Sequence, residues 1–351
     1  MTPPRAWQRR GWAARLLWPL SQVYRLLMAL NRARYRWGWA PIHRPPLPVV
    51  VVGNWIVGGA GKTPTLLLVL DLLARWGWRA GVVSRGYGRA SHGVVLAHRD
   101  STAASLGDEP LLIHRRSGVP LAVGERRAEA VQALLAAHPE VQLIVCDDGL
   151  QHHALARDLS LLVFDARGLG NGWLLPAGPL RQDHHARPLP GSRDAHLVLH
   201  TDGVQAAPLH GHLAQRRLNL AWPLADWWAG RRTAAVPLAG LRDRPLLAAA
   251  GLAQPERFFT MLSAEGLRFD PLPLPDHARF DSLPWPADTP DVLVTEKDAV
   301  KLRPEAMPPG QRVWVLPLDL QAPPDFEREL RDALSALLGP PPGLPHGPTP
   351  H

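Results

Sequence analysis

Residues Val49 to Thr65 read VVVVGNWIVGGAGKTPT, an unbroken apolar run followed by a glycine-rich stretch that ends in Lys62 and Thr63. Val49 to Val52 suit a central strand of a parallel sheet, which is covered on both faces and needs no polar alternation. Gly58, Gly59 and Gly61 let the backbone curl so that successive N–H groups converge on phosphate oxygens, and the following helix adds its positive end. Lys62 then reaches the β- and γ-phosphates of a nucleotide, and the Thr63 hydroxyl can ligate the accompanying magnesium ion. Pro64 is tolerated in a first helical turn. The strict GxxxxGK[ST] spacing fails at its first glycine, which would fall at Ile56. The strand before and the leucine-rich helix expected over Thr65 to Trp76 supply the context that a chance glycine turn lacks.

The 351 residues suffice for a large core in two domains or one elaborated domain, and 46% hydrophobic content excludes general disorder. The 38 prolines predict many rigid connections, and Gly339 to His351 reads as a disordered tail. Cys146 is the only cysteine, so an intramolecular disulfide and a cysteine-based zinc site are both excluded. It ends the apolar run Val141 to Val145 and reads as core.

The formal charge of +8 points to an anionic partner. Its distribution narrows the choice. Before the first strand stand Arg5, Arg9, Arg10, Arg15, Arg25, Arg32, Arg34, Arg36 and Arg44, with no acidic residue and with seven aromatic residues interleaved, Trp7 and Trp12 among them. Leu16, Leu20, Val23, Leu27 and Leu30 recur at helical spacing, with Arg15 and Arg25 interrupting any long uncharged span. That is the composition of an amphipathic helix lying in an anionic bilayer interface, kinked at Pro19, rather than of a transmembrane span or a cleaved signal. A helix docked on its own domain with solvated arginines is the alternative.

Downstream, Ala80 to Val83, Pro120 to Val123, Val141 to Val145, Leu159 to Phe164 and His196 to Leu199 read as strands, with helices over Asp108 to Arg116 and Glu125 to His138. The residues just after each strand are the ones to interrogate, because ligands bind at the carboxyl ends of such sheets. Asp147 and Asp148 follow one strand and suit a magnesium site beside a P-loop, although Asp-Asp-Gly is also a turn. Ser84 to Arg89, SRGYGR, offers arginine forks to an anion, with a solvated arginine turn as the alternative. Gly107-Asp108-Glu109-Pro110 opens a helix, where an acid is an ordinary cap. The His152-His153 and His184-His185 pairs lack matching ligand spacing for zinc. After the stretch 205–240, read as a connection or minor substructure, strands recur at Pro245 to Ala250, Asp291 to Thr295 and Val313 to Leu318, the last closing a second sheet. Pro255 to Gly266 reads as helix.

In order, VGNWIVGGAGKTPT, SRGYGR, GDEP, DDGLQH, GNGWLLPAGPLR and TEKDAVK resemble the tetraacyldisaccharide 4'-kinase family, the lipid A 4'-kinases. The resemblance runs from about Pro46 to Lys301. It implies an α/β fold: a P-loop NTPase-like parallel sheet flanked by helices, a smaller C-terminal α/β lobe and an N-terminal membrane-associated helix. Together with the composition shifts, it divides the chain into a membrane-interface segment 1–45, a P-loop core 46–204, the connection 205–240, a C-terminal lobe 241–338 and the tail 339–351. It implies transfer of the γ-phosphate of ATP, with Mg²⁺, to the 4'-hydroxyl of a tetraacylated disaccharide 1-phosphate at the cytoplasmic face of the bacterial inner membrane. It further implies that Lys62 and Thr63 serve the nucleotide and magnesium, and that Asp147 and Asp148 bind the metal. Asp108 is implied as the catalytic base and His277 as its partner, with Arg85, Tyr87 and Arg127 contacting the lipid. Where the family continues PAGPLR with glutamate, this chain has Gln182, followed by Asp183. The competing reading is a membrane-associated P-loop switch ATPase, although Val57 stands where that class usually has a lysine. A nucleic-acid ATPase rests on the basic charge alone, and no nucleic-acid partner is expected.

Overall fold

The computed structural model describes residues 4, 7–183, 188–193, 195–205, 209–276, 278, 280 and 282–342, with residue 232 described by its backbone only. The valine run is strand β1 (Val49–Gly53), buried along its whole length. Helix α1 (Trp12–Arg36) precedes it and α2 (Lys62–Trp76) follows. Then come β2 (Ala80–Ser84), β3 (Val95–Leu96), α3 (Ala103–Leu106), α4 (Asp108–Ser117), β4 (Leu121–Val123), α5 (Arg127–Ala137) and β5 (Leu143–Asp147). β6 (Leu159–Phe164), β7 (His196–His200) and β8 (His212–Leu213) complete a sheet ordered β3-β4-β2-β5-β1-β6-β7-β8. Its pairings are parallel except β3 with β4.

Central placement explains the absence of polar alternation in β1. Successive strand side chains point to opposite faces. Val50 and Val52 accordingly pack with Leu66 and Leu73 of α2, while Val49 and Val51 pack in a separate cluster with Val131 and Leu134 of α5. Cys146 lies in that second cluster, and burial pushes its thiol up to about 12, so it is core as read from the sequence.

The second sheet draws on β10 (Leu220–Pro223), β11 (Val236–Pro237), β12 (Leu246–Ala250), β13 (Phe269–Pro273), β14 (Asp291–Thr295) and β15 (Arg312–Leu316), in the order β11-β10-β15-β14-β12-β13. β9 (Gln215–Arg217) pairs with β16 (Asp319–Gln321). The stretch 205–240 supplies β10 and β11. One expectation is corrected here. β15 is interior rather than closing, because β10 pairs antiparallel on its outer side, Trp222 opposite Val315. The helices are α6 (Leu224–Trp228), α7 (Pro255–Ala264), α8 (Glu296–Ala299) and α9 (Pro324–Leu338). Residues 343–351 of the proline-rich tail lie outside the described residues.

Two elements join the sheets. α9, absent from the sequence reading, buries Phe326, Leu330 and Leu334, and its Glu329 reaches His212 of β8 at 2.8 Å. α4 carries Arg116, which donates to Glu296 of α8 at 2.7 Å and to Asp319 of β16 at 2.6 Å while stacking over Trp222.

α1 continues through Pro19 and is oriented unusually. Inward it buries Ala14, rests Tyr24 on an apolar cluster and makes polar contacts: Ser21 Oγ donates to the Leu174 carbonyl and accepts from Ala177 N–H, and Tyr24 Oη donates to the Arg181 carbonyl. Trp12, Leu16, Leu20, Val23, Leu26, Leu27 and Leu30 are each more than half exposed. A surface helix ordinarily turns its apolar stripe to the core. Here the stripe faces away, which leaves on the order of 10 kcal/mol of apolar transfer free energy unrealised in water.

Candidate active site

The loop from β1 to α2 has two halves. Ile56 bridges to Leu180, Val57 N–H donates to the Pro179 carbonyl, and Arg181 N–H donates to the Trp55 carbonyl. The chain therefore spends residues 55–57 pairing with 179–181 before the cradle begins at Gly58. That pairing accounts for the departure from the standard spacing at Ile56. Gly58 and Gly61 take positive φ, 95° and 86°. A Cβ on Gly61 would lie 2.9 Å from the Thr201 side chain, so only glycine fits there. Arg167, held by Asp165 at the end of β6, donates to the Gly59 and Val57 carbonyls from outside the loop. Lys62 opens α2 and Thr63 stands beside it in the first turn.

Lys62 Nζ lies 3.5 Å from Asp148 Oδ2 and 3.4 Å from Asn54 Oδ1. Arg181 grips both Asp148 oxygens, at 2.7 and 2.9 Å, and also donates to Asn54. Burial alone would raise the Asp148 carboxyl, but the Arg181 fork and the Lys62 ammonium outweigh it and bring it down to about 2. Asp147 is the opposite case. Burial, then the carboxylates of Glu109 and Asp148, push it well above the ordinary range against Lys62 and the Ser84 hydroxyl, which donates to Oδ2 at 2.9 Å. Its Oδ1 is buried without a hydrogen-bond partner. An acidic pair with one member saturated by cations and the other holding an idle oxygen suits a divalent cation.

Gln182 does not join that pair: its Oε1 accepts from Gln151 Nε2 at 2.8 Å. Asp183 lies instead in the field of Arg32 on α1. Arg127, implied by the resemblance as a lipid contact, is 5% exposed, and its Nη2 donates to the Asp147 and Asp148 carbonyls. It braces the acidic turn from beneath. Arg85 and Tyr87 stand on the exposed loop after β2. Gly86 and Gly107, both at positive φ, bring that loop against the start of α4, where a Cβ on Gly107 would meet the Tyr87 carbonyl at 2.7 Å.

Asp108 is the first residue of α4, and the Glu109 carboxylate raises Asp147, so this helix start lies beside the acidic pair. Lys301 Nζ comes within 3.7 Å of Asp108 Oδ2, and Lys297 Nζ within 3.6 Å of Glu109 and 3.2 Å of Asp276. The TEKDAVK segment, quoted above without a role, thus brings two lysines of the second sheet to the acidic start of α4. His277 lies outside the described residues, as do His184 and His185. Asn54, Ser84, Arg181 and Lys301 stand in the family motifs without an implied role, while Arg167 has no sequence signal apart from its position after a strand.

His152 and His153 form no metal cluster among the described residues. Both have a buried Nε2 without a partner, and burial, aided by Arg127 near one and Arg32 near the other, lowers each to about 4. An unfolded histidine titrates near 6.5, so between those values the unfolded chain binds more protons than the folded one. Stability accordingly falls as pH drops from 6.5 towards 4 and then levels off for these groups. After discounting their partial exposure, the pair accounts for about 2–4 kcal/mol. Urea midpoints at pH 7 and pH 5 measure this, and His153→Phe is expected to shrink the difference.

A family model described as tetraacyldisaccharide-1-P 4'-kinase matches residues 13–335. The chain is 53% identical over 334 residues to the tetraacyldisaccharide 4'-kinase of Methylibium petroleiphilum, covering 94% of this chain and 92% of that protein. It is 50% identical to the protein of the same name from Leptothrix cholodnii, covering 95% of each. A crystal structure of LpxK from Aquifex aeolicus in complex with ATP superposes with a TM-score of 0.73 at 26% identity, covering 93% of this chain and 99% of that one. The ordered motifs, the P-loop beside a paired-aspartate strand and these near full-length matches lead to one conclusion: the chain belongs to the tetraacyldisaccharide 4'-kinase family.

Proposed function

We propose that this chain transfers the γ-phosphate of ATP to the 4'-hydroxyl of tetraacyldisaccharide 1-phosphate, forming lipid IVA in lipid A biosynthesis. The observation that carries the reading is the convergence of Lys62, the Asp147–Asp148 pair and the Asp108–Glu109 helix start at the carboxyl edge of the first sheet. Gly58, Gly59 and Gly61 cradle the phosphates of ATP, and Lys62 turns from Asp148 to the β- and γ-phosphates. Asp147, with its idle Oδ1, Asp148 and Thr63 would hold Mg²⁺. When bound, the ion neutralises charge on the transferring phosphate.

Asp108 accepts the proton of the 4'-hydroxyl as that oxygen bonds to the γ-phosphorus and the bond to ADP breaks. His277 serves as its partner in this reading. Arg85 and Tyr87 hold the lipid substrate from the exposed loop, and Arg127 keeps the acidic turn in place. Transfer of labelled γ-phosphate to tetraacyldisaccharide 1-phosphate in detergent tests the assignment. A magnesium-dependent bisphosphorylated lipid is the expected product. ATP hydrolysis without lipid product, stimulated by anionic vesicles, would favour the switch ATPase instead.

α1 supports a peripheral seat on the inner membrane, at its cytoplasmic face. Among the described residues no helix is long and apolar enough to cross a membrane. The outward stripe of α1 nonetheless suits the headgroup boundary, and Arg15, Arg25 and Arg34 suit anionic lipid. The triple variant Leu16→Glu, Leu20→Glu, Leu27→Glu alters exposed positions and is expected to keep the fold. Its co-sedimentation with phosphatidylglycerol vesicles should fall at least about tenfold. Undiminished binding would remove α1 as the membrane element.

A further inference from the structure

We propose that Lys301 is a positioning residue that aims Asp108 at the acceptor hydroxyl. The proposal rests on the reading of Asp108 as the base. The Lys301 side chain is only 7% exposed, and its ammonium lies 3.4 Å from Asp298 Oδ1 and 3.7 Å from Asp108 Oδ2, above the Phe280 ring. One of these two acids cannot move. Asp298 is fully buried; its Oδ2 accepts from Gly251 N–H at 2.9 Å and from Thr295 Oγ1 at 2.7 Å. Gly251 has no room for a side chain, since a Cβ would lie 2.5 Å from Asp298 Oδ1.

Lys301 is therefore tethered to the second sheet at a fixed point and extends its charge to a residue of the first. Asp108 follows Gly107, which approaches the Tyr87 carbonyl closely, and it opens α4, so its main chain has a defined place. An ammonium beside Oδ2 restricts the side-chain torsions of Asp108 and so the direction in which its carboxylate points. Lys297, four residues earlier, takes Glu109 and Asp276, so the neighbouring acid does not compete for Lys301. The hydroxyl proton goes to Asp108.

Lys301 also neutralises buried Asp298, so a simple deletion would confound positioning with folding. The test uses Lys301→Met and Lys301→Arg, the double variant Asp298→Asn/Lys301→Met, which leaves no stranded charge, and Lys301→Met in an Asp108→Asn background. The expected results are a kcat lowered about 10–50-fold in Lys301→Met with the KM for ATP within twofold, and partial recovery in Lys301→Arg. The double variant should melt close to wild type and still show the kcat loss. In the Asp108→Asn background the lysine substitution should cost nothing further. Wild-type kcat in the double variant would mean that Lys301 serves only Asp298. A loss that multiplies the Asp108→Asn loss would mean that it acts independently of Asp108. Either overturns the proposal. Near wild-type activity in Asp108→Asn itself would instead overturn the base assignment on which it rests.

Discussion

Lys62→Met is expected to lower lipid phosphorylation about 10³-fold or more while leaving a folded protein. The Lys62 side chain is largely buried, and its ammonium lies between Asp148 and Asn54 beside the loop Gly58 to Gly61. Methionine keeps the unbranched stem and removes the charge. Asp148 stays matched by the Arg181 fork, while buried Asp147 loses the ammonium that countered its rise and is held further above the ordinary carboxylate range. Arginine is not expected to restore activity, because its planar fork is larger and already has a counterpart in Arg181 on the same acid. Single-turnover transfer of labelled phosphate, read beside a thermal melt, measures the effect. A rate within tenfold of wild type would remove Lys62 from the phosphate site.

Asp108→Asn is expected to cost about 10²–10⁴-fold in kcat, with ATP affinity kept. The amide has the shape of the carboxylate and sits at the same helix start, so α4 and its contacts with the Gly86 loop persist. What disappears is the capacity to take the hydroxyl proton. Lys301 retains Asp298 as its other partner and is not left unpaired. Equal losses in kcat and kcat/KM for the lipid, with unchanged binding of a non-hydrolysable ATP analogue, are the expected pattern. A rise in the KM for ATP alone would move Asp108 from the chemistry to nucleotide binding.

Where local pattern carries the information, the reading and the structure agree closely. Four valines predict a strand covered on both faces, and β1 sends alternate valines into separate apolar clusters. The runs at Leu159 to Phe164 and Asp291 to Thr295 are strands with those bounds. α9 is equally local in its pattern, with Phe326, Leu330 and Leu334 at four-residue spacing. Arg127 is different in kind. Its position in the chain says nothing of burial, and the structure places its guanidinium under the acidic turn on two main-chain carbonyls.

By itself the sequence determined the α/β class, the phosphate loop, the acidic pair and the amphipathic leader, because each depends on neighbours within one strand, turn or helix. Only the tertiary structure decided which charges meet: Arg181 with Asp148, Lys301 with Asp108, Arg116 with Glu296. Those pairs are chosen by sheet order and by the packing of α4 between the two sheets, which no local pattern encodes. The same holds for α1. Its periodicity defines an apolar face, but the contacts of Ser21 and Tyr24 with residues 174–181 decide that this face points outward.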